Sequence, residues 1–389
     1  MHIEKRLQNS NAMVYLSPLL ALFLTLISGA CLFALLGHSP FTSLYTFFID
    51  PVSDLYGLSE LAVKVTPLLL CAIGLTLCFK ANIWNIGAEG QFVFGALIGG
   101  AMSLHLADSH GFWVLPLVIL TGACAGMVWA GIAAFLLVRF KANEILTTIM
   151  LNYVAVNLLL WGVHGPLKDP EGFNFPESAL FAAQTMLPML HDSYRVSIAL
   201  LIALFMLVVV WVVLARTLLG FQVRVMGANR NAASFAGFNG TALIWLLLLF
   251  SGAMAGVAAV SEVNGPVGQL IPTLSLGYGY AAIIVVFMGR MHPLGILLAS
   301  CLLGLTYLGG EMSQIELGLP KSITGVFQGM LLFYLLACDL LISYRVVFSK
   351  DQAFGPKTTA PSISEPSVSE PSISEPSISE PSISEPSSS

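Results

Sequence analysis

Charged side chains are scarce in this sequence, where they make up 10% of the 389 residues against 57% for hydrophobic ones. A soluble domain carries about a quarter of charged residues, so the composition excludes an ordinary soluble globular protein. Apolar runs of about 20 residues recur along most of the chain, and each is long enough to cross a bilayer as a helix. The sequence therefore predicts an all-α polytopic membrane protein.

Common catalytic and nucleotide-binding motifs are missing as well. The sequence contains no G-x-x-x-x-G-K-[ST], so binding of ATP through a P-loop is excluded. H-E-x-x-H and G-x-S-x-G are absent, and the six cysteines form no C-x-x-C. The seven histidines lie near span ends or in loops and share no common site. We therefore expect neither catalysis nor a metal or cofactor, and an intramembrane enzyme is poorly supported.

Hydropathy predicts about ten transmembrane helices. Their approximate limits are 13–37, 62–79, 86–106, 112–138, 145–163, 195–215, 241–260, 271–289, 293–310 and 323–344. With the N-terminus inside, twelve basic residues fall on the cytoplasmic side and four outside, as the positive-inside rule requires. The twelve are Lys5, Arg6, Lys80, Arg139, Lys141, Arg216, Arg224, Arg230, Arg290, Arg345, Lys350 and Lys357. External loops collect acids instead, among them Glu60 and Glu262. Both termini are therefore expected in the cytoplasm.

The chain divides into three predicted segments. A cytoplasmic N-terminus spans 1–12, the transmembrane domain spans 13–346, and a cytoplasmic tail spans 347–389. The tail repeats P-S-I-S-E or P-S-V-S-E between Pro361 and Glu385. Proline, serine and glutamate bury too little apolar surface to fold, so the tail is predicted to be a disordered appendage or a repeat expansion without function.

Ten spans divide into two halves of five, and an odd number gives the halves opposite orientations. The third span then corresponds to the eighth. Both begin with polar, glycine-broken sequence, "NIGAEGQ" and "GPVGQLIPTLSLGYGY". Interrupted spans at matching positions indicate a transport path, although the glycines could instead only allow close helix packing.

The longest cytoplasmic connection runs from Ala215 to Gly240 and contains three arginines and no acid. Its middle, "NRNAASFAGF", predicts a short helix capped by Asn229 or Asn231. Phe235 and Phe238 are three positions apart and would anchor this helix in a groove of another protein. The alternative is a solvated basic loop on an anionic membrane leaflet.

The pattern R-T-x-x-G-x-x-x-R-x-x-G-x-N followed by A-A-x-x-A-G resembles the coupling loop of ABC-importer permeases of the branched-chain amino acid, ribose and nucleoside family. The stretches "FKANIWNIGAEGQFVFGA" and Glu262–Ser300 resemble its simple-sugar/nucleoside subgroup, and the resemblance covers Lys5–Arg345. One departure is Val225, where the family has alanine. The residues assigned to the ATPase-coupling loop are Arg216, Gly220, Arg224, Gly227, Asn229, Ala232, Ala233, Phe235, Ala236, Gly237 and Phe238.

The resemblance implies a permease subunit of an ATP-binding-cassette importer for nucleosides or simple sugars in the bacterial inner membrane. Its expected partners are a cytoplasmic ATPase, a second and different permease chain, and an extracytoplasmic binding protein. The alternatives are a permease of the same family for another small solute, such as a branched-chain amino acid, and a proton-coupled secondary carrier. Scarce ionisable residues within the spans disfavour the carrier.

Polar residues within the spans are candidates for a translocation path or gate, because lipid cannot satisfy their hydrogen bonds. Amides and hydroxyls would suit a neutral polyhydroxyl cargo, but bonds between helices explain them equally well. Two tyrosines could stack on a base or sugar, or form an interfacial belt. Glu89, at the cytoplasmic start of its span, is interpreted as structural or gating rather than cargo-binding. The candidates are Asn85, Glu89, Gln91, Asn152, Asn157, Asn264, Gln269, Tyr278 and Tyr280.

Overall fold

The computed structural model describes residues 2–5, 11–191 and 193–347, with side chains described for 16–191 and 193–341. The predicted tail beyond residue 347, together with residues 1 and 6–10 of the predicted N-terminal segment, lies outside the described residues. Residues 5–345 form one compact unit.

Thirteen α-helices occur in the described part of the chain. They are α1 (Asn11–Leu35), α2 (Pro40–Phe48), α3 (Leu55–Lys80), α4 (Ala88–His105), α5 (Val114–Phe140), α6 (Glu144–His164), α7 (Ala199–Arg216), α8 (Leu218–Ala228), α9 (Arg230–Phe235), α10 (Gly240–Glu262), α11 (Tyr278–Met288), α12 (Pro293–Leu317) and α13 (Ser322–Ser343). The strands are β1 (His2–Lys5), β2 (Met189–His191), β3 (Tyr194–Ser197) and β4 (Tyr344–Val347). β2 and β3 form an antiparallel hairpin, and β1 pairs with β4.

Eight of the described helices are long and apolar enough to cross a membrane. They are α1, α3, α5, α6, α7, α10, α12 and α13. The predicted third and eighth spans, now α4 and α11, do not qualify, and they are the two that the sequence marked as interrupted. The 11 residues of α11 rise only about 16 Å, roughly half of a ~30 Å hydrocarbon layer. The protein is an all-α polytopic membrane protein, and ten crossings remain a prediction.

The long helices α3 and α10 occupy the centre of the bundle, and 83% of the apolar window of α3 is buried. α3 contacts α10, α11 and α12, whereas α10 contacts α3, α4 and α5. If the halves are paired in order, α3 corresponds to α10, α4 to α11 and α5 to α12. The contacts of α3 with α11 and α12 then match those of α10 with α4 and α5, as expected if the two five-helix halves are related.

Glycines at a spacing of four residues bring α4, α5 and α10 into close contact. A Cβ atom on Gly126 of α5 would overlap the carbonyl oxygen of Gly252 on α10, and one on Gly256 would overlap that of Gly122. Gly95 of α4 lies against the Cα of Gly256. Small residues at this spacing let membrane helices approach until their backbones touch, which strengthens van der Waals packing. The glycine seam therefore fixes α4 beside α10.

Gly126→Val is expected to destabilise the protein by about 1–3 kcal/mol, because overpacking forces the two helices apart. Gly131→Val on the same helix is the matched control, since the nearest atom to a Cβ there is 3.5 Å away. The measurement is the unfolding midpoint of each purified variant in detergent. Equal midpoints for the two variants would show that the seam does not hold the helices together.

Candidate functional site

A buried amide cluster lies at the start of α4. The side chains of Asn85 and Gln91 exchange two hydrogen bonds, from Gln91 Nε2 to Asn85 Oδ1 at 3.1 Å and from Asn85 Nδ2 to Gln91 Oε1 at 3.3 Å. Asn85 Nδ2 also donates to Ser251 Oγ of α10 at 3.0 Å, and Asn85 Oδ1 accepts from the Gly87 N–H at 3.0 Å. The cluster joins the α3–α4 connection, residues 81–87, to α10.

Asn152 connects α6 to the start of α4 and to the residues before it. Its Oδ1 accepts from the Gly90 N–H at 2.9 Å, while its Nδ2 donates to the Ile86 carbonyl and to the Tyr280 hydroxyl, both at 3.0 Å. Thr148, one turn earlier, accepts from the Ile86 N–H at 3.2 Å. Because every polar atom of the Asn152 amide has a protein partner, its role in this conformation is to connect α6, α4 and α11.

Glu89 joins the N-termini of the two interrupted helices. Its carboxylate accepts a hydrogen bond from the Ser275 hydroxyl and another from the Gly279 N–H of α11 at 2.8 Å. A carboxylate at a helix N-terminus is stabilised by the free N–H groups and by the helix dipole. A Cβ on Gly279 would overlap the Glu89 backbone, so only glycine permits this approach. We call Glu89, Ser275 and Gly279 the α4–α11 junction.

A second buried carboxylate lies on the other side of α11. Glu262, which the sequence assigned to an external loop, is only 5% exposed and accepts from the Tyr278 hydroxyl at 3.2 Å. Glu262 is not part of a loop, because it is the last residue of α10 and a π-helical turn, Val263–Val267, continues the helix among buried residues. The Tyr278 ring is fully buried between Phe92 and Tyr307, so it contributes neither to an interfacial belt nor to an accessible cargo site in this conformation.

A cavity of about 590 Å³ lies beside the junction. It is bounded by the connection between α10 and α11, by α12, and by α13 with the residues before it. The lining residues are Pro272, Thr273, Ser275, Leu276, Tyr307, Glu311, Gln314, Lys321, Ser322, Thr324, Gly325 and Gln328. Most of the polar groups are hydroxyls and amides, and Glu311 is paired with Lys64 at 2.7 Å. Ser275 belongs both to this lining and to the junction.

The other candidate path residues lie apart from the junction. Asn264 is buried and donates to Ser103 Oγ at 2.6 Å and to the Thr185 carbonyl at 2.9 Å. Gln269 donates to Glu177 at 3.0 Å. Asn157 lies on the exposed face of α6 and donates to the Tyr153 carbonyl of its own helix at 2.8 Å. Of the candidates, Asn85, Glu89, Gln91, Asn152 and Tyr280 form one connected set.

The sequence missed several residues of the site. Ser251 is one of three hydroxyl residues in the apolar helix α10, and Ser275 lies in the glycine-broken stretch at the start of the predicted eighth span. Thr324 and Gln328 of α13 lie in the predicted last span, 323–344, whose hydropathy does not mark them as part of a site. A polar residue within an apolar run was the available signal, but the sequence did not say which of these side chains meet.

The basic connection between α7 and α10 folds into α8 and α9. Arg224 donates to the Leu214 carbonyl, and Gly220 allows α8 to pack against the end of α7, where Arg216 is exposed. Gly227 lies directly on the Lys80 carbonyl at the end of α3. The connection is therefore an ordered element packed on the bundle and not a solvated loop.

The helix α9 begins at the cap Asn229, whose Oδ1 accepts from the N–H groups of Asn231 and Ala232 at 2.9 and 3.2 Å. It ends at Phe235, and Gly237, the residue after the cap Ala236, adopts a φ of +79° as helix C-termini often require. Ala233 faces the bundle, whereas Ala232 and Ala236 are exposed.

The two predicted aromatic anchors separate in the structure. Phe235 projects from α9 and is 93% exposed. Phe238 was expected to project with it, but its ring packs edge-on against Phe221 of α8 with the centroids 6.0 Å apart. The expectation fails for Phe238 because the turn at Gly237 sends the chain back toward the bundle. Phe235, flanked by small residues, is therefore the aromatic ring that projects from α9, whereas Phe221 of α8 is half-exposed beside Phe238.

Apolar helices long enough to cross a membrane, a buried junction of two interrupted helices and a polar cavity are features of a multi-pass membrane transport protein. A family model described as branched-chain amino acid transport system / permease component matches residues 57–336. The chain belongs to this permease family. It is therefore a transport component rather than an enzyme, and membership implies ATPase and binding-protein partners in general.

Relatives with stated cargo support the same assignment. The chain is 30% identical to the glucose ABC transporter permease protein TsgB13 of Haloferax volcanii, over 87% of this chain and 92% of the relative. It is 28% identical to the guanosine permease NupP of Bacillus subtilis, over 82% and 92%. It is 25% identical to the nucleoside permease NupB of Lactococcus lactis, over 84% and 92%. No solved structure matches the chain significantly.

Proposed function

We propose that this chain is the permease subunit of an ABC importer that carries nucleosides or simple sugars across the bacterial inner membrane. The observation that carries the proposal is the cavity of about 590 Å³ whose floor includes Ser275. Its volume lies within the roughly 300–1,000 Å³ of small-molecule sites. The glucose, guanosine and nucleoside permeases among its relatives support the same cargo class.

The lining chemistry favours an uncharged cargo over an amino acid. Thr273, Ser275 and Gln328 can exchange hydrogen bonds with sugar hydroxyls, because hydroxyl and amide groups both donate and accept. A zwitterionic amino acid would need one free positive and one free negative group. Glu311 and Lys321 are the charged groups among the described lining residues, and the carboxylate of Glu311 is already paired with Lys64, so no free negative group accompanies Lys321.

The coupling element is α8 together with α9, and its proposed partner is a cytoplasmic ABC ATPase. An exposed phenylalanine between exposed alanines suits insertion into a groove, since the small neighbours allow close approach. The excess of basic residues in this element supports a cytoplasmic location. A second permease chain would complete the path, and an extracytoplasmic binding protein would deliver the cargo to the opposite face.

In the proposed mechanism, cargo enters the cavity from the side of the α12–α13 connection and stops at the α4–α11 junction. ATP binding and hydrolysis in the partner displace the coupling element. Because this element packs on the α3–α4 connection, its displacement reaches the amide cluster and the junction. Separation of Glu89 from Ser275 and Gly279 would then open the floor of the cavity.

Cargo class is tested in proteoliposomes that contain the chain with its ATPase, second permease and binding protein. Radiolabelled uridine, guanosine, glucose and leucine are compared at equal concentration with ATP enclosed. The proposal predicts uptake of a nucleoside or of glucose at least about ten times faster than that of leucine, a 1.4 kcal/mol preference. Preferential uptake of leucine would contradict the cargo assignment.

Gly325→Trp is expected to lower uptake at least about tenfold by filling the cavity. A Cβ at Gly325 meets no atom within 4 Å, so the indole would extend into open space without disturbing the packing. Gly329→Trp, one turn later on α13, is the matched control because it is equally unobstructed but does not line the cavity. Uptake is measured after both variants are shown to assemble. Equal uptake by the two variants would show that the cavity is not part of the transport path.

A further inference from the structure

We propose that Arg230 is a positioning residue that transmits movement of the coupling element to the α3–α4 connection and to the start of α6. This inference rests on the proposed function. The side chain lies between two cytoplasmic connections that are distant in sequence. One Nη atom donates to the Asn82 carbonyl at 3.0 Å and lies 3.8 Å from the Glu144 carboxylate.

The two groups that Arg230 contacts are held differently by the fold. Asn82 adopts a left-handed backbone with a φ of 55°, and its side chain accepts from the Trp84 indole at 3.2 Å. Glu144 is the first residue of α6, and its Oε2 is buried with no hydrogen bond. Arg230 therefore supplies the ion-pair partner of a buried carboxylate oxygen and a donor to an ordered turn.

The coupling element contacts the start of the α3–α4 connection at a second point. Gly227, at the end of α8, packs on the Lys80 carbonyl so closely that a Cβ atom would overlap it. The coupling element thus contacts the α3–α4 connection at its first residues through Gly227 and Arg230. Closely packed backbone transmits displacement because protein interiors have low compressibility.

The far end of the connection is held by α6. Ile86 donates to Thr148 and accepts from Asn152, while the latter residue also donates to Tyr280 of α11. Arg230 holds the connection at Asn82 and α6 at Glu144, so both move together with the coupling element. Movement then reaches Gly90 through Asn152, one residue from Glu89.

An arginine is suited to this position. Its planar guanidinium carries five N–H donors, so one side chain can serve a carbonyl and a carboxylate at the same time. A lysine ammonium is a flexible point charge that would restore the ion pair but hold the geometry less firmly. A glutamine at this position would remove the charge and leave the Glu144 oxygen unpaired. Arginine, lysine and glutamine at position 230 therefore hold the two connections together with decreasing strength.

The test uses the complete transporter with Arg230→Gln, Arg230→Lys and Glu144→Gln. Arg139→Gln is the control, because Arg139 is another exposed cytoplasmic arginine with no hydrogen bond or ion pair among the described residues. Three quantities are measured for each variant: ATPase co-purification, the rate of ATP hydrolysis, and cargo molecules transported per ATP. The last quantity reports transmission, whereas a merely structural role would change co-purification or hydrolysis.

The expected result for Arg230→Gln is intact co-purification, hydrolysis within about twofold of the unaltered chain, and about tenfold fewer cargo molecules per ATP. Arg230→Lys should transport a number of cargo molecules per ATP between those of Arg230→Gln and the unaltered chain. The charge exchange Arg230→Glu with Glu144→Arg should recover part of the loss. Loss of the ATPase from the complex would make Arg230 a docking residue and overturn the proposal, as would an unchanged transport ratio. If the unaltered chain neither binds an ATPase nor uses ATP, the proposed function itself fails before any variant is compared.

Discussion

Phe235→Asp is expected to abolish ATP-driven uptake, with a fall of at least about 100-fold, and to prevent co-purification of the ATPase. The ring is 93% exposed on α9, so the substitution removes almost no contact within the chain. An aspartate would place a charge in the apolar groove that we propose for this ring, and burial of an unpaired charge costs several kcal/mol. The measurement is pull-down of the ATPase together with uptake in proteoliposomes.

Phe112→Asp is the matched control for this effect. Phe112 is 95% exposed but lies in the connection before α5, on the side that the sequence assigns to the exterior. The same change of ring to carboxylate should leave ATPase binding unaltered there. If Phe235→Asp still retains the ATPase and transports at the normal rate, the coupling element has been assigned to the wrong segment.

Glu89→Ala is expected to reduce uptake by about tenfold or more and to lower the unfolding midpoint. It leaves the Gly279 N–H and the Ser275 hydroxyl without their acceptor at a buried site, and each orphaned donor costs about 1–3 kcal/mol. Glu89→Gln keeps a carbonyl acceptor and should be intermediate. Glu171→Ala, a change at an exposed glutamate, serves as the control.

The response of Glu89 variants also separates a gate from a cargo-binding residue. A carboxylate that binds cargo would change the concentration needed for half-maximal uptake and leave stability unaltered. A junction residue would change stability and maximal rate together. Gly279→Val should reproduce the Glu89→Ala defect, because its side chain pushes the two helix N-termini apart, whereas Gly329→Val meets no neighbour.

Much of the helical frame could be predicted because membrane helices are encoded locally. The predicted fifth span, 145–163, differs from α6 by one residue at each end. The predicted eighth span, 271–289, starts seven residues too early, because the apolar residues near Ile271 were read as helix. Leu270 and Leu274 are buried and Ile271 is half-buried by surrounding protein in an irregular segment, so hydropathy alone could not distinguish them from a span.

The junction could be suspected from the sequence but not assembled from it. "NIGAEGQ" and the stretch around Gly279 were recognised as interrupted and as corresponding positions. Glu89 and Gly279 are 190 positions apart, and only the packed bundle shows that their helices begin at the same point. The turn at Gly237 is similar: the glycine was visible, but the inward course of Phe238 depends on its contact with Phe221.

The most direct test of the central claim is to identify the source of energy for uptake. Proteoliposomes containing this chain, its proposed ATPase, the second permease and the binding protein are loaded with ATP, and uptake of labelled nucleoside and glucose is followed. The account predicts uptake that requires enclosed ATP and the ATPase and is unaffected by collapse of a proton gradient. Uptake by this chain alone, driven by a proton gradient without ATP, would contradict it and identify a secondary carrier.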